Sequence, residues 1–124
     1  MAKVLLIDDE VTMVQMVTEL LRREGHEVLP FSSFNPAIEA LEAHKPELVI
    51  TDLYLDKSRT HGLEILQKAR ALNPPSTVIV ITAYARQQLG GGLAGVSAVL
   101  QKPLDFFALL ATIQKLLAGA AAVE

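Results

Sequence analysis

The chain has 124 residues, which is enough for one domain with an ordinary hydrophobic core. It contains no cysteine, which excludes disulfides, thiol catalysis and cysteine-ligated metals. Its net charge is −3, and its lysines and arginines are scattered, which argues against a nucleic-acid-binding surface. No apolar run approaches the ~20 residues of a membrane span. Because the first residues lead directly into a strand-like run, we expect a cytoplasmic protein without a signal peptide.

Short apolar runs rich in β-branched residues alternate with segments of helical periodicity. The first half predicts a strand at 3–7, a helix at about 11–23 stopped by Gly25, a strand at 27–31 and a second helix with Asn35 as N-cap and Pro36 at its first position. The second half predicts a strand at 48–50, a polar loop at 56–61, a helix at about 63–72, strands at 77–81 and 98–101 and a last helix at about 104–117. Residues 86–95 contain a glycine triplet, so we expect the fourth helix of the series to be short or disordered.

The alternation of strands and helices predicts an α/β fold, a doubly wound five-stranded parallel sheet covered on both faces. Right-handed crossovers favour the flavodoxin-like strand order 2-1-3-4-5, whose switch point lies between the first and third strands. Ligands of such sheets bind beyond the carboxyl ends of the strands. We assign residues 1–118 to this domain and residues 119–124 to a C-terminal tail.

Chemically matched side chains follow four of the predicted strands. Asp8 and Asp9 follow the first strand, Asp52 the third, Thr82 the fourth and Lys102 the fifth. We expect them to gather at one edge of the sheet, where three close carboxylates would repel one another unless a hard cation such as Mg²⁺ joined them. A cation, a lysine and a hydroxyl around one carboxylate suit phosphoryl transfer to that carboxylate, and Asp52 is the central one.

Four motifs resemble those of the receiver domain of two-component response regulators. They are VLLIDDE at 4–10, LVITDL at 48–53, ITA at 81–83 and KP at 102–103, and the resemblance covers essentially the whole chain. It implies that Asp52 accepts a phosphoryl group from the phosphohistidine of a sensor histidine kinase or phosphotransfer protein. Phosphorylation would then switch a surface read by an output domain or partner protein. The domain would catalyse its own phosphorylation and dephosphorylation and would not be a turnover enzyme.

The resemblance also implies roles for the other site residues. The acid matching Asp9 binds Mg²⁺ directly, whereas the one matching Asp8 acts largely through water. Tyr54 offers its backbone carbonyl to the metal. Lys102 pairs with a phosphoryl oxygen, and Thr82 moves to hydrogen-bond it. The peptide after the lysine is usually cis in this family.

The sequence departs from the family pattern at three places. Asp56 replaces the usual proline four residues after the phosphoacceptor, and Gly62 comes two residues late. The stretch between the fourth and fifth strands is about two residues short. Val99 stands where the family normally has an aromatic ring. We therefore expect phosphorylation to reach the output surface through the glycine-rich stretch 86–95 and not through a ring at position 99.

Other functions fit part of the pattern. The main alternative is a pseudo-receiver, a module that binds partners independently of phosphorylation. A haloacid-dehalogenase-type phosphatase also uses an aspartate with Mg²⁺, but it normally needs a second aspartate where Tyr54 stands. A carrier of FMN with the same fold would have its phosphate repelled by the acids at 8–10.

Overall fold

The computed structural model describes residues 2–55, 59–72, 75–83 and 95–123, apart from the side chains of residues 59 and 119–123. The strands are β1 (Lys3–Ile7), β2 (Glu27–Phe31), β3 (Leu48–Thr51), β4 (Thr77–Thr82) and β5 (Ala98–Gln101). The helices found among these residues are α1 (Val11–Arg23), α2 (Phe34–His44), α3 (Arg59–Ala71) and α4 (Phe106–Val123). None of these helices is long and apolar enough to cross a membrane.

The five strands form one parallel sheet in the order β2-β1-β3-β4-β5, as predicted. Side chains alternate between its two faces, because successive residues of a strand point in opposite directions. In β1, Val4 and Leu6 join the core that includes residues of α1 and α4, whereas Leu5 and Ile7 join the core that includes residues of α2 and α3. Burial on both faces explains why the strands are continuous apolar runs.

The strand order brings the ends of β1 and β3 side by side. Ile7 is the register partner of Thr51, the last residue of β3. The amide of Asp52 continues the pairing by donating to the carbonyl of Ile7 over 3.3 Å. The residue after each strand is therefore held at the same edge, and both residues are aspartates.

Three helix boundaries differ from the sequence prediction. Helix α2 begins at Phe34 after the extended N-cap Ser33, so Asn35 is not the cap and Pro36 lies third in the helix. Proline is tolerated there because the first N–H groups of a helix have no intrahelical partner. Helix α3 begins at Arg59, inside the predicted loop. Helix α4 continues through Val123, because the alanine-rich end has high helix propensity.

Two predicted features lie outside the described residues. One is the short or disordered fourth helix, which falls on residues 84–94 together with most of the glycine-rich stretch. The other is Asp56 in the segment before α3. The described part of this region ends at Ala83 and resumes at Gly95, where φ is 87°.

Gly62 in α3 is required by a close approach between the helix and the end of β3. A Cβ atom at this position would overlap the carbonyl group and Cα of Leu53. Leu53 is itself almost completely buried one residue after Asp52. Gly62, which comes two residues later than the usual family spacing, therefore lets α3 pack directly against the backbone beside the candidate phosphoacceptor.

We expect Gly62→Ala to destabilise the protein by about 1–3 kcal/mol, the usual range for overpacking. Alanine normally stabilises a helix relative to glycine, so the sign of the change tests the close approach. The measurement is the free energy of unfolding by urea, with Thr60→Ala at an exposed position of the same helix as the control. A Gly62→Ala protein as stable as the wild type would contradict this packing.

Candidate functional site

Three aspartates meet at the carboxyl edge of β1 and β3. Asp8, Asp9 and Asp52 each place a carboxylate oxygen so that the three oxygens lie within 4.8 Å of one another. Asp8 is fully buried and Asp52 is nearly so, whereas Asp9 is exposed. The arrangement is open to solvent on the side of Asp9, and it concentrates negative charge as the sequence predicts.

Lys102 follows β5 and carries the positive charge of the site. Its Nζ lies 2.9 Å from Asp8 Oδ2, 3.1 Å from Asp52 Oδ2 and 3.1 Å from Glu10 Oε1. The contacts to Glu10 and Asp52 are hydrogen bonds donated by the ammonium group. One cation from the edge strand thus offsets carboxylates from β1 and β3.

Backbone amides fix the orientation of the two buried carboxylates. The amide of Glu10 donates to Asp8 Oδ1 over 2.9 Å, and the amide of Tyr54 donates to Asp52 Oδ1 over 3.1 Å. Each Oδ1 atom is therefore held by the chain two residues further on. Each Oδ2 atom is left facing Lys102 and the centre of the site.

The charges of the buried groups are set by opposing effects. Burial raises the pKa of Asp8, while the Glu10 amide and the Lys102 ammonium lower it and the Asp52 charge raises it further, so the pKa stands above its ordinary value. Burial lowers the pKa of Lys102, but contacts with Asp8, Glu10 and Asp52 outweigh burial and hold it above its ordinary value. The lysine is therefore charged at every physiological pH, whereas the charged form of Asp8 is less favourable than it would be in water.

The donor set fits a hard divalent cation. Asp8 Oδ2 is buried and has no hydrogen-bond partner within the described part of the chain, although it lies 2.9 Å from Lys102 Nζ in an ion pair. A buried carboxylate oxygen without a hydrogen bond is costly, and a cation ligand would relieve that cost. Oxygen ligands from Asp8, Asp9 and Asp52 would suit Mg²⁺, which commonly retains several waters.

The remaining predicted residues lie at the same edge. Thr82 ends β4 and is fully buried, and its carbonyl accepts the Lys102 amide over 2.7 Å. Tyr54 is half-buried, and its amide already serves Asp52. The Lys102–Pro103 peptide is cis. The structure thus brings the acids and Lys102 into one cluster and places Thr82 beside the lysine backbone.

Sequence reasoning missed the contact of Glu10 with Lys102. Glu10 directly precedes α1, a position that favours small capping residues, so its sequence context predicts a solvent-facing acid. Its partner stands 92 positions later in the chain. The sequence offers one indication of this contact. Glu10 is the third of three consecutive acids after β1, at the sheet edge where Lys102 is predicted to lie.

The geometry agrees with comparisons to known proteins. Residues 4–114 match the family model of the response regulator receiver domain. The chain therefore belongs to the receiver domain family of two-component response regulators.

Relatives support the assignment along the whole chain. The transcriptional regulatory protein ZraR of Escherichia coli K12 is 30% identical over 98% of this chain, and this chain spans 27% of ZraR. The protein PilH of Pseudomonas aeruginosa is 29% identical, with 96% of this chain and all of PilH covered. A CheY-like receiver domain protein of Methanospirillum hungatei has a TM-score of 0.88 at 26% identity, covering 98% of both chains. This chain therefore spans about a quarter of the length of ZraR but the whole length of PilH.

We expect Mg²⁺ to raise the free energy of unfolding, because it would join carboxylates that otherwise repel one another. Mass action gives about 1.4 kcal/mol when free Mg²⁺ is about ten times Kd. Thermal melts should show a higher melting temperature with Mg²⁺ than with a chelator in the wild type. This gap in melting temperature should be much smaller in Asp9→Asn.

Glu39→Gln is the matched control, since it removes an exposed carboxylate on α2 away from the cluster. It should keep the full gap. An Asp9→Asn protein that also kept the full gap would show that Asp9 is not a metal ligand.

Proposed function

We propose that this domain is a phosphoacceptor and that Asp52 receives the phosphoryl group. The observation that carries the proposal is the contact of Asp52 Oδ2 with Lys102 Nζ at 3.1 Å inside the cluster of Asp8 and Asp9. A nucleophilic carboxylate needs a neighbouring cation to neutralise the charge of the phosphoryl oxygens during transfer. Asp52 has such a cation and acids that fit a metal.

The chain's own groups suggest how the transfer proceeds. Oδ1 of Asp52 accepts the amide of Tyr54, whereas Oδ2 accepts the Lys102 ammonium group that faces the centre of the site, so we assign the attack on phosphorus to Oδ2. A bond forms between Oδ2 and phosphorus, and the bond from phosphorus to the imidazole nitrogen of the donor histidine breaks. Lys102 then pairs with a phosphoryl oxygen, and Thr82 donates its hydroxyl to another. Mg²⁺ held by Asp8, Asp9 and Asp52, with the Tyr54 carbonyl, would supply further positive charge for these oxygens.

Family membership indicates the kind of partner. We propose a sensor histidine kinase or phosphotransfer protein as the donor, and an output domain or separate partner protein as the receiver of the signal. The domain itself would contact neither nucleic acid nor membrane and would act in the cytoplasm. It would catalyse only the gain and loss of its own phosphoryl group and would not turn over a substrate.

The test is phosphorylation by acetyl phosphate with Mg²⁺, followed by intact mass spectrometry. We expect one added phosphoryl group in the wild type, none with chelator and none in Asp52→Asn. Asp105→Asn is the matched control and should be labelled normally. Asp105 Oδ1 caps α4 by accepting the amides of Phe107 and Ala108, and asparagine caps equally well.

Two outcomes would contradict the proposal. Labelling of Asp52→Asn to the wild-type level would place the phosphoryl group on another residue. A folded wild-type protein that took no label from acetyl phosphate or from a phosphorylated histidine donor would instead be a pseudo-receiver.

A further inference from the structure

Glu10 occupies a helix N-cap without using its side chain as a cap. Its backbone is extended, with φ of −81° and ψ of 96°, and its side chain makes no capping hydrogen bond to α1. The carboxylate instead accepts a hydrogen bond from Lys102 Nζ over 3.1 Å, although the Glu10 side chain is 60% exposed. An exposed glutamate therefore holds Lys102, the lysine that contacts the cluster among the described residues.

Three carboxylates of the described residues already surround Lys102. Their oxygens lie within 3.1 Å of Nζ and share the charge of the ammonium group. A phosphoryl oxygen that pairs with Lys102 must therefore compete with them for the lysine. Asp8 and Asp52 are buried and belong to the candidate metal cluster, whereas Glu10 does not belong to it.

Glu10 is the partner that can leave at least cost. Its carboxylate is exposed, so water can replace the lost contact with Lys102. A cavity of about 500 Å³ lies beside it, lined by Glu10, Lys102 and the apolar side chains of Met13 and Phe106, and provides space for the displaced side chain. Asp8 and Asp52 do not line this cavity.

We propose that Glu10 is a positioning residue that restrains phosphorylation of Asp52. In the unphosphorylated domain it holds Lys102, and it competes with the phosphoryl group for the lysine. Its negative charge also opposes the approach of an anionic phosphodonor. The inference rests on the proposed function of Asp52, and it concerns the rate of transfer and the stability of the product.

The first test compares Glu10→Gln with the wild type. Glutamine has nearly the same size but no charge, so it binds Lys102 less strongly and does not repel the donor. We expect the rate constant of labelling by acetyl phosphate with Mg²⁺ to rise about two- to fivefold, in line with the usual strength of exposed ion pairs. Glu19→Gln is the matched control, because it removes an equal charge from an exposed pair with Arg23 on the same helix.

The second test separates the contact of Glu10 with Lys102 from the negative charge of Glu10. Glu10→Asp keeps the charge but is one methylene shorter, so its carboxylate reaches Lys102 poorly. If the contact matters, the labelling rate of Glu10→Asp rises toward that of Glu10→Gln.

A third test measures binding of beryllofluoride, a stable phosphoryl mimic, in the presence of Mg²⁺. A titration monitored by amide chemical shifts should show about two- to fivefold tighter binding by Glu10→Gln than by the wild type.

The outcomes distinguish this inference from the proposed function. A wild type that is never labelled contradicts the phosphoacceptor function itself. A labelled wild type with equal or slower labelling and equal or weaker beryllofluoride binding in Glu10→Gln overturns the restraint by Glu10. An equal rise in Glu19→Gln overturns it as well, because the effect would then come from net charge.

Discussion

The site depends on one cation meeting several anions across three strands. Lys102 follows β5, Asp8 follows β1 and Asp52 follows β3, and none of these strands is adjacent to the next in sequence. Without the lysine, two buried carboxylates would face each other in a region of low polarity, which is strongly unfavourable. The parallel sheet makes the arrangement possible, because it delivers every carboxyl end to one edge.

The same interaction bears on the proposed phosphorylation of Asp52. A phosphoryl group there would add charge and acceptor oxygens at a place where the existing charges are already balanced by contact. The balance would then be redistributed among Lys102, the acids and any bound cation. We place the adjustable part of this balance at Glu10, since it is the exposed member of the lysine's three partners.

Strand positions and the acids, Thr82 and Lys102 could be predicted from the sequence, because buried parallel strands are short apolar runs with abrupt polar ends. The starts of α2 and α3 could not. Asn35 and Pro36 match the usual start of a helix, yet α2 begins one residue earlier at Phe34. Helix α3 begins with polar residues that precede its apolar stripe. The role of Glu10 was also hidden, because a contact over 92 positions has no local pattern.

The contact of Gly62 with the backbone of Leu53 has a consequence for how such a domain varies between relatives. Helix α3 is anchored to the chain one residue after Asp52 by this contact. A change in the number of residues between Leu53 and the helix therefore leaves the contact possible wherever a glycine of the helix faces Leu53. The two-residue displacement of this glycine from the usual family spacing is the kind of change that such an anchor tolerates.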